Sequence, residues 1–573
     1  MLQKDSQADR PPRQLILFFD GTNNTLTGGQ KDTNVLKLYE HLAAGQDGGQ
    51  LIYYDPGVGS PDALPSTGLG DGLSRRWERI SGLAYGRGIY ENIREAYTFL
   101  IRYWQPGDQV WLFGFSRGAF AARCVSGIVH LFGIIDRQHE SLLDTVMRVY
   151  FAGTDDGTGR ARQRKQVRLN TGGIESDHAD TRTRGDVAGQ IRRSFTTGER
   201  REASVHFVGV WDTVESVGVP LLSVRITSAA TITGKRICHA RHALSLDEQR
   251  LSFRPRLYDE PDFGTPDGAQ SLRQRWFRGV HSDIGGGYLR RESGLSHEAL
   301  AWMLSEARQC GLRDARDLAP DGAVKLHDAT FSVPWWALAG LTVRDPVALG
   351  PKATRIEHPS VAAQPDPMPS VWTAPGHRGA NIGIGASIFG ALVSRWLQAL
   401  ALAGTWPGFA ALELPSKLAR AQLALLWTRP GDLAPLAQAF GPGIGWAMLA
   451  DMLLAASYGY LLARVAGWAF RRAAGVRRLG QGVPAWRWLG LAPLCAVGAD
   501  ACENVLTALA SAWDGPVGLL QGLVLYLVGL AAAAKFLGLL GCAALALVAL
   551  CRPRLRQPSR DSGPPAGAGI TDR

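Results

Sequence analysis

Short apolar runs alternate with amphipathic stretches through roughly the first 310 residues of the chain. The runs are typical of β-strands buried on both faces of a parallel sheet, and the stretches carry apolar residues at helical spacing. Strands are predicted within residues 15–19, 51–60, 110–115, 204–218 and 274–288, and helices within residues 88–104, 119–129, 240–250 and 296–310. This alternation requires right-handed crossovers and predicts an α/β fold with a mostly parallel sheet.

The pattern changes beyond about residue 380, where long stretches of Ala, Leu, Gly and Val replace it. Four of them come near or exceed the roughly 20 residues that cross a bilayer. They are residues 382–404, 444–469, 488–513 and 517–550. The charged residues that interrupt them are Arg395, Asp451, Arg464, Asp500, Glu503 and Lys535. Charges in lipid are costly unless they face the interior of a helix bundle or reach the interface. We expect an all-α, membrane-associated region, with a soluble helical domain or surface-lying helices as alternatives.

A chain of 573 residues is too long for a single core. Residues 1–13 are predicted to be a disordered lead-in and residues 14–330 a catalytic domain with an insertion at about 153–203, either a mobile loop or disorder. The prediction continues with a linker at 331–380, the apolar helical region at 381–551 and a disordered tail at 552–573.

Charge and cysteine content narrow the function classes. The formal charge of +11 would suit nucleic acid, but the arginines are scattered or flank apolar segments, which membrane topology explains at least as well. We therefore predict no nucleic-acid partner. The seven cysteines show no C-x-x-C spacing, which argues against a zinc site or a disulfide framework. No apolar signal-peptide core is visible near the N-terminus.

The strongest chemical signal is the sequence GFSRG at residues 114–118. It lies between a buried strand and a helix, so Ser116 is predicted at a sharp corner where Gly114 and Gly118 allow the backbone to turn. This is the nucleophile elbow of α/β-hydrolases. A glycine-rich turn with a helix-capping serine is the alternative.

Two further candidates follow later strands. Asp212 ends the strand within 204–218, and His281 lies just past the next one, on a loop closed by three glycines. The chain order Ser, Asp, His is that of α/β-hydrolases, in which the histidine is the base and the aspartate orients it. A lone strand-end Asp or His would ordinarily be structural, but three of them in this order favour a catalytic triad.

Other polar groups complete the predicted site. The backbone N–H groups of Arg117 and of Gly21 or Thr22 are the predicted oxyanion hole. Asp20 is a possible supporting residue or a turn cap. Asp283 is the competing acid, more plausibly bound to loop backbone, with a metal shared with Asp20 as a weaker alternative. We predict no cofactor and no metal.

Five motifs carry a family resemblance: FFDGTNNT, GFSRGAF, VGVWDTVESVG, ARHALSLDEQR and FRGVHSDIGGGY. Together, over about residues 13–330, they resemble the catalytic domain of type VI secretion lipase effectors. The resemblance implies a serine esterase acting on phospholipids, of phospholipase A type, with Ser116 as nucleophile, Asp212 as acid and His281 as base.

These observations predict a membrane-attached phospholipase. If all four apolar segments span, the arginine clusters at 471–487 and 552–560 fall on one side together with the catalytic domain, which predicts a multi-pass protein facing the cytoplasm. The alternative location is that of a secreted effector that inserts into a target-cell membrane, with an immunity or secretion partner. Alternative functions are an esterase or thioesterase for small soluble esters, or a non-catalytic membrane adaptor.

Overall fold

The computed structural model describes residues 12–21, 31–45, 49–57, 83–152, 184–214, 231–319, 322–327, 340–342, 344, 358, 387, 389–394, 396–397, 444–474, 485–511 and 519–551. Most of the predicted lead-in, the predicted tail, residues 61–82, most of the linker and most of the first apolar segment lie outside these ranges. The described residues fall into two compact units. The first contains the residues up to His358 together with residues 485–487, and the second contains the other described residues beyond 370.

Seven strands in the described part of the chain form one sheet, in the order β2-β1-β3-β4-β5-β7-β6. The strands are β1 (Gln14–Phe19), β2 (Gln50–Asp55), β3 (Gln109–Phe115), β4 (Val205–Trp211), β5 (Ile237–Ser245), β6 (Phe263–Gly264) and β7 (Ser271–Phe277). All neighbouring pairs are parallel except β6 with β7. The predicted mostly parallel α/β fold is therefore confirmed.

The strand order reverses at β1, which pairs with β2 on one side and β3 on the other. In open α/β sheets, ligands bind beyond the carboxyl ends of the strands at such a reversal. The residues that follow β1 and β3 therefore border the crevice in which a functional site is expected.

Helices cover both faces of the sheet. Alternate residues of β1 point to opposite sides, so Leu15 and Leu17 join one core cluster while Ile16 and Phe18 join the other. The first cluster includes residues of α2 (Leu83–Tyr103), α3 (Arg117–Phe132), α4 (Leu143–Ala152) and α5 (Arg184–Phe195). The second includes residues of α1 (Asn34–Ala43) and α8 (Gly294–Gln309). The sheet region is thus a three-layer α/β/α unit.

The prediction of a helix at residues 240–250 is wrong. Residues up to Ser245 belong to β5, between β4 and β7. Ala, Arg and Leu favour helices as isolated residues, but here the strand is almost wholly buried within the sheet, and burial overrides local propensity.

The predicted insertion is not irregular throughout. Its final part forms α5 and the short α6 (Gly198–Glu202), and Val187, Ala188 and Ile191 of α5 are buried in the core. Residues 153–183 lie outside the described ranges.

The second unit contains α9 (Ile444–Ala474), α10 (Ala492–Ser511) and α11 (Leu519–Cys551). Three helical segments in the described ranges are long and apolar enough to cross a membrane: Ala450–Phe470, Trp488–Ala510 and Leu520–Cys551. The bent pair Arg117–Phe132 and Arg137–Phe151 has comparable composition, but its apolar residues are buried in the sheet core, so we assign it to the catalytic region.

The charged residues of these helices meet inside the bundle. The Lys535 ammonium lies 3.1 Å from Asp500 and 2.6 Å from Glu503. The Tyr458 hydroxyl donates to the second oxygen of Asp500. Both carboxylates are buried. Mutual pairing is what makes ionisable groups tolerable among apolar helices.

Candidate active site

Ser116 occupies the corner between β3 and α3 with φ 60° and ψ −119°, a backbone conformation that residues other than glycine rarely adopt. The flanking glycines are required by close backbone approach. A Cβ on Gly114 would lie 2.5 Å from the Gly118 oxygen, and a Cβ on Gly118 would lie 2.1 Å from the Phe19 oxygen. The corner therefore has the shape predicted from the sequence, and it places the serine beside the end of β1.

His281 lies within hydrogen-bonding distance of both Ser116 and Asp212. His281 Nε2 is 2.7 Å from Ser116 Oγ, and His281 Nδ1 is 2.5 Å from Asp212 Oδ2. An ionised carboxylate can only accept, so the ring donates from Nδ1 to Asp212 and accepts at Nε2 from the serine hydroxyl. Asp212 has no exposed surface, whereas Ser116 retains 8% of its own at the crevice.

His281 is the first residue of a short helix, α7 (His281–Gly285), and not part of a loop as predicted. Its ring packs against Phe115 and Phe253, with ring centroids 4.6 and 4.9 Å away. A Cβ on Gly285 would lie 2.0 Å from the Phe115 ring. The glycine therefore lets α7 approach β3 closely, which brings the imidazole to the serine.

The backbone before His281 is held by the residues that follow β5. The Ser245 hydroxyl donates to the Gly279 oxygen, and Asp247 accepts from the Gly279 N–H at 2.7 Å. Glu248 accepts from the His281 N–H at 3.1 Å. We call residues 245–248 the histidine clamp. It gives a structural reason for the SLDE part of the motif at 240–250, which the prediction of a helix had obscured.

Asp212 has a partner that the sequence did not reveal. Arg344 donates from Nη1 to Asp212 Oδ1 at 2.5 Å and from Nη2 to Oδ2 at 2.9 Å. This residue falls in the predicted linker, beyond the predicted end of the catalytic domain. One arginine among many carries no motif, and its distance of 132 positions from Asp212 leaves no sequence signal.

The charge pattern favours an ionised aspartate and a neutral histidine. Burial alone would raise the pKa of Asp212, but Arg344 and the bond from His281 outweigh it and hold that pKa well below its usual range. Burial lowers the pKa of His281 below its ordinary value, although Asp212 acts in the opposite direction. A neutral imidazole next to a serine hydroxyl can act as a base.

The loop after β1 is organised by Asp20. Its carboxylate accepts from the Gly21 N–H at 2.6 Å, from the Thr33 hydroxyl at 2.7 Å and from the Tyr54 hydroxyl at 2.7 Å. Asp20 is therefore a supporting residue of this loop. The Gly21 N–H already has an acceptor, so it would receive an oxyanion only by sharing or releasing that bond.

The other two predicted oxyanion-hole residues are Arg117 and Thr22. Arg117 is the first residue of α3, directly after the serine, where backbone N–H groups have no partner within the helix. Thr22 lies outside the described residues.

Asp283 does not contact the triad. Its carboxylate accepts from the Val280 N–H at 3.0 Å and the His327 N–H at 3.1 Å, and it lies 2.6 Å from His327 Nδ1. Loop backbone, the favoured alternative for this residue, is thus among its partners. Within the described ranges, no group of three His, Cys, Asp or Glu residues could hold a metal ion.

A mostly parallel sheet with a serine on a strand-to-helix corner and an aspartate and histidine at later strand ends is the arrangement of an α/β-hydrolase-like protein. The particular family follows from comparison with known sequences. The chain belongs to the family of the T6SS phospholipase effector Tle1-like catalytic domain, whose family model matches residues 13–306, just over half of the chain. The resemblance seen in the motifs is confirmed, and membership supports a hydrolase of the phospholipase or lipase type.

A curated relative matches over a shorter stretch. Over 244 residues the chain is 31% identical to the uncharacterized protein YEL023C of Saccharomyces cerevisiae (strain ATCC 204508 / S288c), covering 42% of this chain and 32% of that protein. The chain thus spans about a third of the length of that relative.

Proposed function

We propose that the protein is a serine esterase that cleaves acyl ester bonds of phospholipids, in the manner of a phospholipase A. The observation that carries the proposal is the pair of contacts at His281, 2.7 Å to Ser116 and 2.5 Å to Asp212. Family membership supports the lipid substrate.

In the proposed reaction, His281 removes the proton of Ser116 as the serine oxygen attacks the ester carbonyl carbon. The negative charge that develops on the carbonyl oxygen is received by the Arg117 N–H and by the N–H of Gly21 or Thr22. His281 then gives the proton to the leaving alcohol oxygen as the ester bond breaks, which leaves the acyl group on the serine. A water molecule then attacks the acyl carbon and loses a proton to His281, which gives that proton to the Ser116 oxygen as the acyl–serine bond breaks and the fatty acid leaves.

Asp212 has an electrostatic role in this reaction. Its carboxylate fixes the imidazole in the tautomer that can accept the serine proton, and it stabilises the imidazolium that forms. With Arg344 bonded to both of its oxygens, the carboxylate stays ionised and keeps its orientation.

The apolar helices suit a substrate that lies in a membrane. We propose that they attach the enzyme to the bilayer, which raises the effective concentration of lipid at the site. In one arrangement the protein is multi-pass with its catalytic domain on the cytoplasmic side. In the other, it is an effector whose helices insert into a target-cell membrane, and a secretion or immunity partner accompanies it.

The nucleophile is tested by labelling the full-length protein with a fluorophosphonate probe. We expect labelling that Ser116→Ala abolishes. The matched control is Ser126→Ala, because Ser126 is another buried serine of α3 whose hydroxyl bonds only to the Arg123 carbonyl in the described contacts. Labelling that persists in Ser116→Ala and disappears in Ser126→Ala would remove Ser116 as the nucleophile.

The substrate is tested by lipid analysis of phospholipid vesicles treated with wild type and with Ser116→Ala. We expect lysophospholipid and free fatty acid from the wild type alone. If short soluble esters or thioesters are hydrolysed while the vesicle lipids stay intact, the result would indicate the alternative function, an esterase or thioesterase for small soluble esters. The absence of both labelling and hydrolysis would indicate a non-catalytic membrane adaptor.

A further inference from the structure

The guanidinium of Arg344 lies behind the triad and is almost completely buried. Besides its two bonds to Asp212, Nη1 donates to the Ser245 carbonyl at 2.8 Å and Nη2 donates to the Phe253 carbonyl at 2.6 Å. Its side chain is 2% exposed and that of Asp212 is 0% exposed. Two parallel bonds to one carboxylate fix both its position and its plane.

An extended segment brings Arg344 to this place. The Thr342 N–H donates to the Gln249 carbonyl at 2.7 Å, and the Leu251 N–H donates to the Gly340 carbonyl at 3.0 Å. Leu341 between them is 1% exposed. The segment therefore pairs with the chain that directly follows the histidine clamp. It lies beyond residue 306, where the match to the family ends.

We propose that Arg344 is a positioning residue of the hydrolase, which fixes the orientation of the Asp212 carboxylate toward His281 and keeps the Asp212–His281 pair from binding a second proton in weakly acidic solution. The inference rests on the proposed function, since it assigns a role in the same reaction.

Other charges near the pair do not replace Arg344. Asp212 also faces His242, whose Nε2 accepts from the Thr213 N–H, so this ring presents no proton there. His281 faces Glu248 and Arg250, but these two are bonded to each other through two side-chain contacts of 2.9 and 2.7 Å. Arg344 is the cation that bonds directly to Asp212 among the described contacts.

The effect of removing this cation has a definite sign. Without Arg344, the buried Asp212 carboxylate has no cation bonded to it. An additional proton on the Asp212–His281 pair can then neutralise its negative charge. Whether that proton resides on Asp212 or on His281, the pair binds it at higher pH, because the two groups titrate as a unit. A protonated pair cannot accept the serine proton, so activity at low pH is lost first.

The test compares the full-length wild type, Arg344→Gln and Arg344→Lys. The fluorophosphonate labelling rate and vesicle-lipid hydrolysis are measured between about pH 4.5 and 8.5, and circular dichroism reports folding. For Arg344→Gln we expect the acid limb of the pH profile to move upward by about one pH unit or more. We also expect the plateau rate to fall about 10- to 100-fold, with a smaller change in KM.

Arg344→Lys separates charge from geometry. A lysine keeps the positive charge but cannot make the two-pronged contact, so we expect the acid limb near its wild-type position with a several-fold lower rate. If Arg344→Gln does not fold, the role of Arg344 is judged from the rate and pH profile of Arg344→Lys. The control is Arg291→Gln, whose side chain is 76% exposed and which should match the wild type.

The outcomes separate the two proposals. A wild type with no Ser116-dependent labelling refutes the hydrolase and this inference with it. If activity depends on Ser116 but both Arg344 variants keep wild-type rates and pH profiles, the role of Arg344 is refuted and the proposed hydrolase function stands. A lower rate in Arg344→Gln with an unmoved acid limb reduces the residue to a structural one.

Discussion

Two of the three described residues other than glycine with positive φ belong to the proposed triad, Ser116 at 60° and Asp212 at 41°. Such conformations cost about 1–3 kcal/mol each and persist only where the surroundings enforce them. Here the enforcing contacts are backbone bonds from Ser116 to the Trp211 carbonyl and from Asp212 to the Ala243 carbonyl. The sheet itself therefore supports the strained corners, and it links the ends of neighbouring strands β3, β4 and β5.

At the same scale, the elbow glycines can be tested. Gly118→Ala would force a Cβ to within 2.1 Å of the Phe19 carbonyl oxygen, and backbone on both sides must move to accept it. We expect the free energy of unfolding to fall by about 3 kcal/mol and fluorophosphonate labelling to disappear. Thermal melting and labelling of the solubilised protein measure both effects.

Gly189→Ala is the matched control, because its nearest neighbour is the flexible end of Arg193 at 3.4 Å and it lies within α5. We expect that change to be neutral or to stabilise the protein by up to about 1 kcal/mol. Wild-type melting and labelling in Gly118→Ala would show that the close approach is not required.

The sequence could predict single residues when a local pattern surrounded them. Ser116, Asp212 and His281 each follow a predicted strand, and parallel strands bring their carboxyl ends to one edge, so three distant residues could be expected to converge. Their catalytic roles remain a prediction. Arg344 could not be found in this way, because an arginine beyond the last predicted strand has no periodic context.

Elements were harder to predict where burial and local propensity disagree. β5 contains residues that favour a helix, and only its place between two strands makes it a strand. Because of this error the histidine clamp could not be predicted. A helix at 240–250 would not place residues 245–248 beside Gly279 and His281. The short helix that begins at His281 was missed for a related reason: a single turn is too short for a 3.6-residue period to be detected.

Segment 340–344 leads to a prediction about domain boundaries. We expect a protein that ends at residue 369, the last residue of the main stretch of the first compact unit, to label with fluorophosphonate. A protein that ends at residue 330, the boundary predicted from the sequence, lacks Arg344 and Leu341, and its labelling should fall at least about tenfold. Its melting temperature should fall too, because Asp212 is left as a buried charge without its cationic partner.

A third protein, residues 1–369 with Arg344→Gln, shows how much of that loss is due to the one side chain. Equal labelling and melting of the unsubstituted proteins that end at residues 330 and 369 would place the structural end of the catalytic unit at or before residue 330.

At the scale of the whole molecule, the two units have opposite surface chemistry. Leucines of α11 such as Leu523, Leu530, Leu537 and Leu540 are more than half exposed, whereas comparable side chains of the sheet region are buried. A helix with this much exposed apolar surface is stable in lipid and prone to aggregate in water. The inward pairing of Lys535 with Asp500 and Glu503 also fits a lipid surround.

Carbonate extraction tests membrane attachment. We expect the full-length protein, expressed with a membrane fraction, to stay in the pellet at alkaline pH, and the 1–369 protein to be released as a control. Complete release of the full-length chain into the supernatant would exclude spanning helices. The experiment does not depend on activity, so it separates attachment from hydrolysis.

The position of Arg344 along the chain also bears on synthesis. Ser116, Asp212 and His281 all leave the ribosome earlier than this arginine, and the apolar helices of α9 to α11 leave later. If Arg344 acts as proposed, translation that stops anywhere before codon 344 yields a product with a defective triad. A truncated message would then give the producing cell a weakly active fragment and not a diffusible enzyme of full activity.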